Sequence, residues 1–395
     1  MNKIIVSSNT GNFKGGAPRS LKFFLEYSSI PKDRFQIAIP HEGWVGSLRQ
    51  ELNNSGFSAT IVLKHTDKTP FEKYLFSPRI WIKRLYGILR FTKLYYRLLK
   101  SHDADVVYLN TIYCLIDGVI GFLTGIPVVC HIRGIDNNIA GIRQIRILIM
   151  GLIAKKIITV SSNTKKELVE YCPMFRNKTY YIPNGIDLKS VQFEKNRVAQ
   201  LRNHYKLEDK IVIGCIGLVC EHKNTLMFAQ IADSLCAAYE NVVFLWVGDY
   251  DSTGESAQVY KDIQERFKPI IKTNRLIFSG FKNDIYNWLE LFDIFLFLSR
   301  SEGMPRSILE AMAMKKVVLS FAIDGVIDLI KDEQTGFLIP PYDVKKIIEK
   351  LENFIINGID KEIGTAACEA VKKEFSLERT ARQIDRVLFD TLKRK

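Results

Sequence analysis

The chain has 395 residues, more than one hydrophobic core of ordinary size accommodates, and this length indicates two domains. Its 47% hydrophobic and 25% charged content is ordinary for a folded soluble protein and excludes an intrinsically disordered chain. The net charge of +13 is unusual, and it indicates either an anionic partner (nucleic acid, acidic lipid or a phosphorylated substrate) or an unspecific lysine-rich surface.

Cysteine usage and the apolar runs limit the chain further. Seven cysteines are scattered without a CxxC pair, which predicts a reducing cytoplasm with neither a disulfide framework nor a zinc site. The first residues, MNKIIVSSNTG, lack the layout of a signal peptide. The longest apolar stretch, residues 114–130, is interrupted by Asp117 and Pro127, so it predicts a helix, a turn and a buried strand rather than a membrane span.

Short β-branched runs alternate with longer helical patterns along the chain. A first series of strands is predicted at residues 3–8, 35–40, 59–63, 104–110, 127–132, 156–161 and 179–183. A second series is predicted at residues 211–217, 242–249, 275–280, 294–299 and 316–321. Apolar strands that alternate with helices are typical of parallel sheets buried on both faces, so the sequence predicts an α/β protein with two doubly wound domains.

The turn signal Asn184-Gly185 and the polar stretch after it separate the two series. We therefore predict an N-terminal domain at residues 1–186 and a C-terminal domain at residues 187–370. The last segment, residues 371–395, is predicted to be an amphipathic helix that packs back toward the N-terminal domain. Ligands of open α/β sheets bind beyond the carboxyl ends of the strands, so the loops at those ends are expected to carry the chemistry.

Two loops of the first domain are candidates for a site. Gly15 and Gly16 stand directly before a predicted helix, where backbone N–H groups and the helix N-terminus can receive a phosphate, although a plain turn explains the glycines equally well. His131 lies at the end of a predicted strand, with Arg133 and Asp136 in the loop after it. The alternative for His131 is a ring that caps a neighbouring carbonyl group. We find no comparable setting for the other five histidines, His41, His65, His102, His204 and His222.

The second domain opens with a strand that ends at Gly217, and Lys223 follows in the loop before a helix. An ammonium group in this position can act as a point charge beside a diphosphate. A solvated surface lysine is the alternative, and it is the commoner fate of any single lysine.

The stretch SRSEGMPRSILEAMA, residues 299–313, combines a strand exit, a glycine and a helix start. Pro305 suits the first turn of that helix, and Gly303 permits close backbone approach. Glu302 precedes the helix and Glu310 lies inside it, and carboxylates suit ligands rich in hydroxyl groups. A helix-start charge and a surface residue are the plain alternatives, but the apolar residues after Glu310 disfavour an idle surface position.

These motifs together resemble the retaining glycosyltransferases of family 4, which have the GT-B fold: two doubly wound Rossmann-like domains that face a central cleft. The matching pieces run through most of the chain: GGAPRSL, SSNTKKEL, IPNGID, IGLVCEHKN, WVGD, FSGFKNDI, SEGMPRSILEAMA and TGFLIPPYD. The spacing between Glu302 and Glu310 matches the most specific signature of the family.

The resemblance implies a nucleotide-sugar donor held mainly by the second domain. It implies that Glu310 holds the ribose, that Glu302 holds the transferred sugar, and that His131 lies near the sugar and the attacking hydroxyl. It also implies that the diphosphate is bound by Lys223, by the Gly15–Gly16 loop, and by Gly217, Gly303, Met304, Pro305, Arg306 and Ser307. No cofactor is expected, and no metal either, since the family usually needs none and the chain shows no DxD motif suited to one.

One position departs from the family pattern. Leu218 follows Gly217 where the family usually has an arginine, so a cation that would pair with Lys223 is missing. Arg19, Arg133 or Arg306 are the candidates to replace it. A charge-assisted hydrogen bond contributes about 1.5–3 kcal/mol, so an uncompensated loss slows catalysis roughly ten- to hundredfold.

Residues 79–100 form a basic stretch without an acidic residue. On a helical wheel the basic side chains cluster on one side, whereas Trp81, Leu85, Ile88, Phe91, Tyr95 and Leu99 lie mostly on the other. This pattern predicts docking on an anionic membrane surface, with packing of the apolar side on the sheet as the alternative, and both are compatible. Nucleic acid is not an expected partner, since no nucleic-acid module is present.

The expected function is therefore transfer of a sugar, from a UDP-sugar rather than a GDP-sugar, to a hydroxyl of a glycan or lipid-linked glycan during cell-surface polysaccharide synthesis. The expected location is the cytoplasm, peripheral to the inner face of the plasma membrane. A nucleotide-sugar epimerase of the same fold and an inactive nucleotide-sugar-binding subunit are the alternatives. A dinucleotide-binding dehydrogenase is disfavoured because no GxGxxG follows the first strand of either domain.

Overall fold

The structure of the protein is a computed structural model that describes residues 3–10, 16–40, 47–62, 78–134, 140–250 and 254–392. Side chains of residues 78–84 and 140–142 are not described. The chain divides into two units, the first formed by Met1–Asn184 with Leu377–Lys395 and the second by Gly185–Ser376. The chain therefore leaves the first unit once, at the Asn184-Gly185 turn signal, and returns to it for the last helix.

The first unit contains a parallel sheet of seven strands in the order β3-β2-β1-β4-β5-β6-β7. The strands are β1 Lys3–Ser7, β2 Phe35–Ile39, β3 Ser58–Ile61, β4 Ala104–Leu109, β5 Val128–Ile132, β6 Ala154–Thr159 and β7 Thr179–Tyr181. Its helices are α1 Gly16–Tyr27, α2 Leu48–Asn54, α3 Pro78–Ser101, α4 Leu115–Leu123, α5 Ala140–Ile153, α6 Ser162–Tyr171 and, from the end of the chain, α15 Leu377–Leu392. The apolar stretch 114–130 is a helix, a turn and a strand, as predicted.

Both faces of this sheet are covered, which explains its continuous apolar strands. Val106 and Tyr108 of β4 pack into one core with α1, α2 and α15, whereas Val107 and Leu109 pack into a second core with α3, α4 and α5. Successive side chains of a strand point to opposite faces, so each strand needs apolar residues at nearly every position.

The last helix is held to the first unit by a buried charge. Asp385 of α15 is 3% exposed and accepts hydrogen bonds from Ser28 Oγ at 2.6 Å, Ser29 N at 2.7 Å and Ser29 Oγ at 2.8 Å. A buried carboxylate is tolerated only when its oxygens are satisfied in this way. The first unit therefore contains residues from both ends of the sequence.

The second unit contains a parallel sheet of six strands in the order β10-β9-β8-β11-β12-β13. The strands are β8 Ile211–Ile216, β9 Val242–Val247, β10 Leu276–Phe278, β11 Ile294–Phe297, β12 Val317–Phe321 and β13 Phe337–Ile339. Its helices are α7 Lys195–Tyr205, α8 Thr225–Ala238, α9 Glu255–Arg266, α10 Lys268–Lys272, α11 Ile285–Leu291, α12 Arg306–Ala313, α13 Val344–Asn357 and α14 Lys361–Glu374.

The predicted α/β class with two doubly wound parallel sheets is confirmed. Each predicted strand is present, with its ends shifted by at most a few residues where both lie in the described ranges. The prediction missed β13, a strand of three residues at the sheet edge that stands between Gly336 and the turn-forming Pro340 and Pro341. In the part of the chain that the structure describes, no helix has the length and apolar character needed to cross a membrane.

Candidate active site in the second unit

The exit of β8 is shaped by a glycine on the neighbouring strand. A Cβ on Gly248, just after β9, would lie 1.7 Å from the carbonyl oxygen of Gly217, so only glycine fits there. The Trp246 indole donates a hydrogen bond of 2.7 Å to the same oxygen. A Cβ on Gly217 itself would meet only the side chain of Lys223, at 3.6 Å. The β8 exit is thus fixed from behind by β9, with Lys223 beside it.

Lys223 and Glu302 form the centre of the candidate site. The Lys223 ammonium group donates to Glu302 Oε1, and both side chains are mostly buried, at 21% and 17% exposure. The same ammonium lies 5.2 Å from the ring centroid of Phe297, the last residue of β11. Lys223 is therefore a positioned cation and not the solvated surface lysine that was the alternative.

The loops that carry this pair are joined by hydrogen bonds. Asn224 has a left-handed backbone (φ 52°) and its side-chain amide donates to Leu298 O at 2.7 Å. Arg300 Nε in turn donates to Asn224 Oδ1 at 3.0 Å, and the Arg300 backbone N–H donates to His222 O at 3.0 Å. These bonds align the Lys223 loop with the Glu302 loop.

His222 also approaches the acidic centre. Its Nε2 lies 3.8 Å from Glu302 Oε1, the oxygen that Lys223 binds, and the His222 side chain is half exposed. The local sequence around His222 does not indicate this position. Only folding brings residue 222 beside residue 302.

Gly303 is held by a second close backbone approach. A Cβ on Gly325 would lie 2.1 Å from Gly303 O and 3.0 Å from Met304 N, and Gly325 has φ of +74°. Both the space and the backbone conformation there require glycine. Met304 is buried, and Pro305 caps α12 with extended backbone angles. The loop between Glu302 and α12 is therefore fixed in front of the first turn of that helix.

Glu310 lies in a polar network separate from Glu302. It is 8% exposed and lies 3.9 Å from the Arg306 guanidinium, which donates to Gly185 O at 3.3 Å. Burial, and next the negative charge of Glu310, raise the pKa of Tyr286 to about 12. Glu310 is therefore not a surface residue, which was the plain alternative. Ser307 follows Arg306 in the first turn of α12.

His131, the histidine expected from the first domain, is buried in the first unit. His131 is the fourth residue of β5 and is 1% exposed, and its Nδ1 is 2.6 Å from the Tyr108 hydroxyl. Burial, and next the charge of Arg133, lower the pKa of His131 well below 6.5, so the ring is neutral. Its Nε2 is buried and makes no hydrogen bond within the described residues. A polar atom left in this way can bond a ligand.

The structure describes only some of the other residues that were expected to contribute from the first unit. Gly16 begins α1, and a Cβ there would meet nothing within 4 Å, so packing does not require this glycine. Gly15 and Asp136 lie outside the described residues. Of the arginines considered as replacements at position 218, Arg133 donates to Asn110 and Asn184, and Arg306 contacts Gly185 and Glu310.

Three predicted residues thus come together, Gly217, Lys223 and Glu302, with Gly303 adjoining them and Glu310 paired separately with Arg306. Sequence reasoning missed the supporting glycine Gly325 and the nearby His222. The motif WVGD includes Gly248, but the sequence does not show why glycine is required at that position. No group of three or more His, Cys, Asp or Glu side chains could hold a metal ion within the described ranges.

Comparisons with known proteins identify the family of the chain. A family model described as "Glycosyl transferases group 1" matches residues 210–357, and "Glycosyltransferase Family 4" matches residues 42–190. The second match covers most of the first unit from residue 42 onward, and the first match lies within the second unit. The chain belongs to the family 4 glycosyltransferases.

Two curated relatives resemble this glycosyltransferase over most of its length. UDP-Gal:alpha-D-GlcNAc-diphosphoundecaprenol alpha-1,3-galactosyltransferase of Escherichia coli is 27% identical over 275 residues, covering 65% of this chain and 67% of the relative. The capsular polysaccharide biosynthesis glycosyltransferase CapM of Staphylococcus aureus is 24% identical over 274 residues, covering 66% and 70%. Among solved structures, Anabaena Alr3699/HepE in complex with UDP-glucose has a TM-score of 0.80 at 19% identity, over 99% of this chain and 100% of that chain. The fold of the glycosyltransferase is therefore GT-B.

Proposed function

We propose that this glycosyltransferase transfers a sugar from a nucleotide diphosphate sugar, with UDP as the favoured nucleotide, to a hydroxyl of a glycan or lipid-linked glycan, with retention of anomeric configuration. The observation that carries the proposal is the pairing of Glu302 with Lys223 at the exits of β8 and β11. A carboxylate that accepts hydrogen bonds from sugar hydroxyls lies there beside a cation that suits a diphosphate.

The donor would be bound along the first turn of α12. The carboxylate of Glu302 would hold hydroxyls of the transferred sugar, while Lys223 would neutralise the diphosphate. The backbone N–H groups of Gly303, Met304, Arg306 and Ser307 would add donors to the phosphate oxygens, and the exit at Gly217 would let the phosphates come close to the backbone. A helix N-terminus favours such an anion through its unpaired N–H groups and its dipole. Glu310, buried further along α12, would hold the ribose hydroxyls.

The chemistry follows from where charge develops. When the glycosidic bond to the diphosphate breaks, negative charge grows on the leaving oxygens, and Lys223 and the α12 dipole stabilise that charge without reorganising. The acceptor hydroxyl would attack from the face that the diphosphate leaves, and the leaving phosphate would take its proton. No enzyme nucleophile is needed in this scheme. For the first unit we propose that His131, with its unpaired Nε2, and the Gly15–Gly16 loop serve the same reaction.

The acceptor and location are proposed from the relatives. The E. coli relative is named for a diphosphoundecaprenol-linked acceptor, and the S. aureus relative for capsular polysaccharide biosynthesis. We therefore propose a lipid-linked or polymeric glycan acceptor and a peripheral position at the inner face of the plasma membrane. The UDP preference is supported by the UDP-glucose bound to the Anabaena structure.

A donor screen followed by a transfer assay tests the proposal. Thermal shifts against UDP-sugars and GDP-sugars identify the donor, and release of the nucleotide is then measured with a lipid-linked glycan acceptor. NMR of the product reports whether the anomeric configuration is retained. Alanine variants of Glu302, Lys223 and His131 are expected to lose turnover. If all three keep activity near that of the wild type, the assignment of the site fails.

A further inference from the structure

Helices α3, α4 and α5 lie side by side on one face of the first sheet. Their inner residues, Phe91, Ile120 and Ile147, belong to one buried core with the sheet. Helix α3 packs beside α4, and α4 packs beside α5. Side chains on the opposite sides of these helices therefore point away from the sheet. We call these outward sides the three-helix face.

The three-helix face is unusually apolar for an exposed surface. Twenty-one large hydrophobic side chains are exposed among the described residues, and eleven of them belong to these three helices. They are Leu85, Tyr86, Ile88, Leu89, Tyr96, Ile116, Phe122, Leu123, Ile145, Leu148 and Leu152. The most exposed, Leu123, is 76% accessible. Single exposed hydrophobic residues are normal, but a concentration on adjacent helices marks an interaction surface.

The charges on the same helices have one sign. Helices α3 and α5 carry nine arginines and lysines and no acidic residue, and the only acid of α4 is Asp117, which is buried. Arg90, Lys93, Arg97 and Lys100 are exposed on α3. A second copy of the chain would bring like charges together on this face, whereas an anionic lipid surface would attract them.

The structure also changes which residues of α3 can meet a partner. Phe91, Tyr95 and Leu99, which the helical wheel placed on the docking side, are at most 2% exposed and pack in the core. The packing alternative is therefore correct for this part of α3. Leu85 and Ile88 of the predicted stripe are exposed, and Tyr86, Leu89 and Tyr96 are exposed beside them on α3. Trp81 lies among the side chains that are not described. Helices α4 and α5 carry the other exposed apolar residues.

We propose that the three-helix face docks on an anionic lipid bilayer, with its apolar side chains at the acyl boundary and its basic side chains at the headgroups. Amphipathic elements of this composition bind through buried apolar area and attraction to anionic lipid together. Nucleic acid is disfavoured because its phosphates offer nothing to the eleven apolar side chains. This inference does not depend on the sugar-transfer site, and either can fail without the other.

Vesicle flotation tests the proposal with the full chain. Wild-type protein is mixed with vesicles of phosphatidylcholine alone or with added phosphatidylglycerol, at low and at high salt. The apolar variant carries Leu89→Asp, Leu123→Asp and Leu152→Asp, one per helix. Its matched control carries Met174→Asp, Ile327→Asp and Ile356→Asp, which change equally exposed apolar residues elsewhere.

A charge variant completes the set. It carries Arg90→Gln, Lys93→Gln and Arg97→Gln, and its control carries Lys166→Gln, Lys261→Gln and Lys345→Gln, which lie on other helices with exposed side chains. Three lost charges are expected to weaken binding to anionic vesicles about a hundredfold, whereas the control stays near the wild type.

The outcomes separate the possible partners. Binding that needs anionic lipid and is lost in both three-helix variants supports the proposal. Equal binding to neutral and anionic vesicles, or no binding at low salt, overturns it. A concentration-dependent dimer that the apolar variant abolishes would assign the face to a second copy of the chain and overturn it as well.

A second inference concerns the position at which the family pattern is broken. Leu218 stands in place of the usual arginine and supplies no positive charge. Its apolar side chain is exposed. His222 Nε2 lies 3.8 Å from the carboxylate oxygen that binds Lys223, and Arg300 holds the His222 backbone in place. The imidazole is half exposed, so a ligand beside Lys223 can reach it.

We infer that His222 supplies the second N–H donor to the departing diphosphate, the contact that an arginine at position 218 would make. The inference rests on the proposed function. An imidazole donates one hydrogen bond when neutral and carries a positive charge when protonated, so it can replace part of the missing cation. It also explains how the site tolerates Leu218.

The test is a rescue experiment in the nucleotide-release assay. His222→Ala is expected to lower kcat roughly tenfold with KM for the donor little changed, and Leu218→Arg in the same chain is expected to restore it. His204→Ala, which removes an exposed histidine of α7, is the control.

If the wild type turns over no donor, the proposed function itself fails. If the wild type is active and His222→Ala is within twofold of it, only this inference fails. A loss that Leu218→Arg does not restore means that His222 acts structurally, and it overturns the inference too.

Discussion

Replacing Glu302 by glutamine tests the centre of the site, because it keeps the shape of the side chain and removes its charge. Glu302 binds Lys223 and is 17% exposed, so the surrounding protein, rather than water, sets its interactions. The variant would lose the charge of the hydrogen bond that we propose between Glu302 and a hydroxyl of the transferred sugar. A hydrogen bond to a charged group contributes about 1.5–3 kcal/mol, and losing it in the transition state lowers kcat/KM roughly ten- to hundredfold. We expect Glu302→Gln to show a loss in this range.

The effect should fall on turnover and not on nucleotide binding. Lys223 keeps its charge in the variant and loses its internal carboxylate, so UDP is expected to bind at least as tightly as in the wild type. UDP release under donor saturation reports kcat, and thermal shift with UDP reports binding. Together they distinguish a lost sugar contact from a disrupted fold.

Glu290→Gln is the matched control. Glu290 pairs with Lys316 at 2.8 Å in the same unit, with side chains 29% and 12% exposed, so it is an ion pair of similar burial. This variant is expected to keep wild-type kcat. The reasoning is refuted if Glu302→Gln keeps kcat/KM within twofold of the wild type, or if Glu290→Gln loses as much.

Four further outcomes are expected. Asn224→Ala removes the bonds that align the Lys223 loop and places alanine at a left-handed backbone position, so it should lower kcat about tenfold in the release assay and lower the melting temperature as well. Gly325→Ala would push its Cβ against Gly303 O, so activity should fall by more than the melting temperature explains; full activity would contradict the close approach. Asp385→Ala removes the buried acceptor of three hydrogen bonds and should lower the free energy of unfolding by about 2–4 kcal/mol in a urea titration; a change under 1 kcal/mol would count against a stabilising role of these bonds. Burial lowers the pKa of His131, so below about pH 6.5 the unfolded chain binds a proton that the folded chain does not bind. The free energy of unfolding should therefore fall by up to about 1.4 kcal/mol per pH unit until the folded pKa is reached. His131→Gln should flatten this slope, and an unchanged slope would mean that other groups cause it.

Local patterns in the sequence predicted most of the fold. Apolar runs of strand length between helical patterns are a property of the chain itself, because a strand buried on both faces needs apolar residues at nearly every position. The twelve predicted strands are present for this reason. The strand β13 was missed although the equally short edge strands β7 and β10 were predicted, so the length of a run does not decide by itself.

Motifs predicted the residue types of the site but not their partners. The sequence singled out Lys223, Glu302 and Glu310 because charged residues at strand exits and helix starts are locally visible. The sequence did not show that Glu302 and Glu310 have different charged neighbours. In the structure Glu302 pairs with Lys223, while Glu310 is buried against Arg306.

The sequence by itself therefore determined the class of the fold, the order of the two sheets and the short list of charged residues, since each depends on neighbours within about a dozen positions. Only the tertiary structure decided that His222 approaches Glu302, and that Gly248 and Gly325 support Gly217 and Gly303. It also decided that Phe91, Tyr95 and Leu99 of the apolar stripe of α3 are buried. These relations join segments far apart in the chain, and packing in three dimensions sets them.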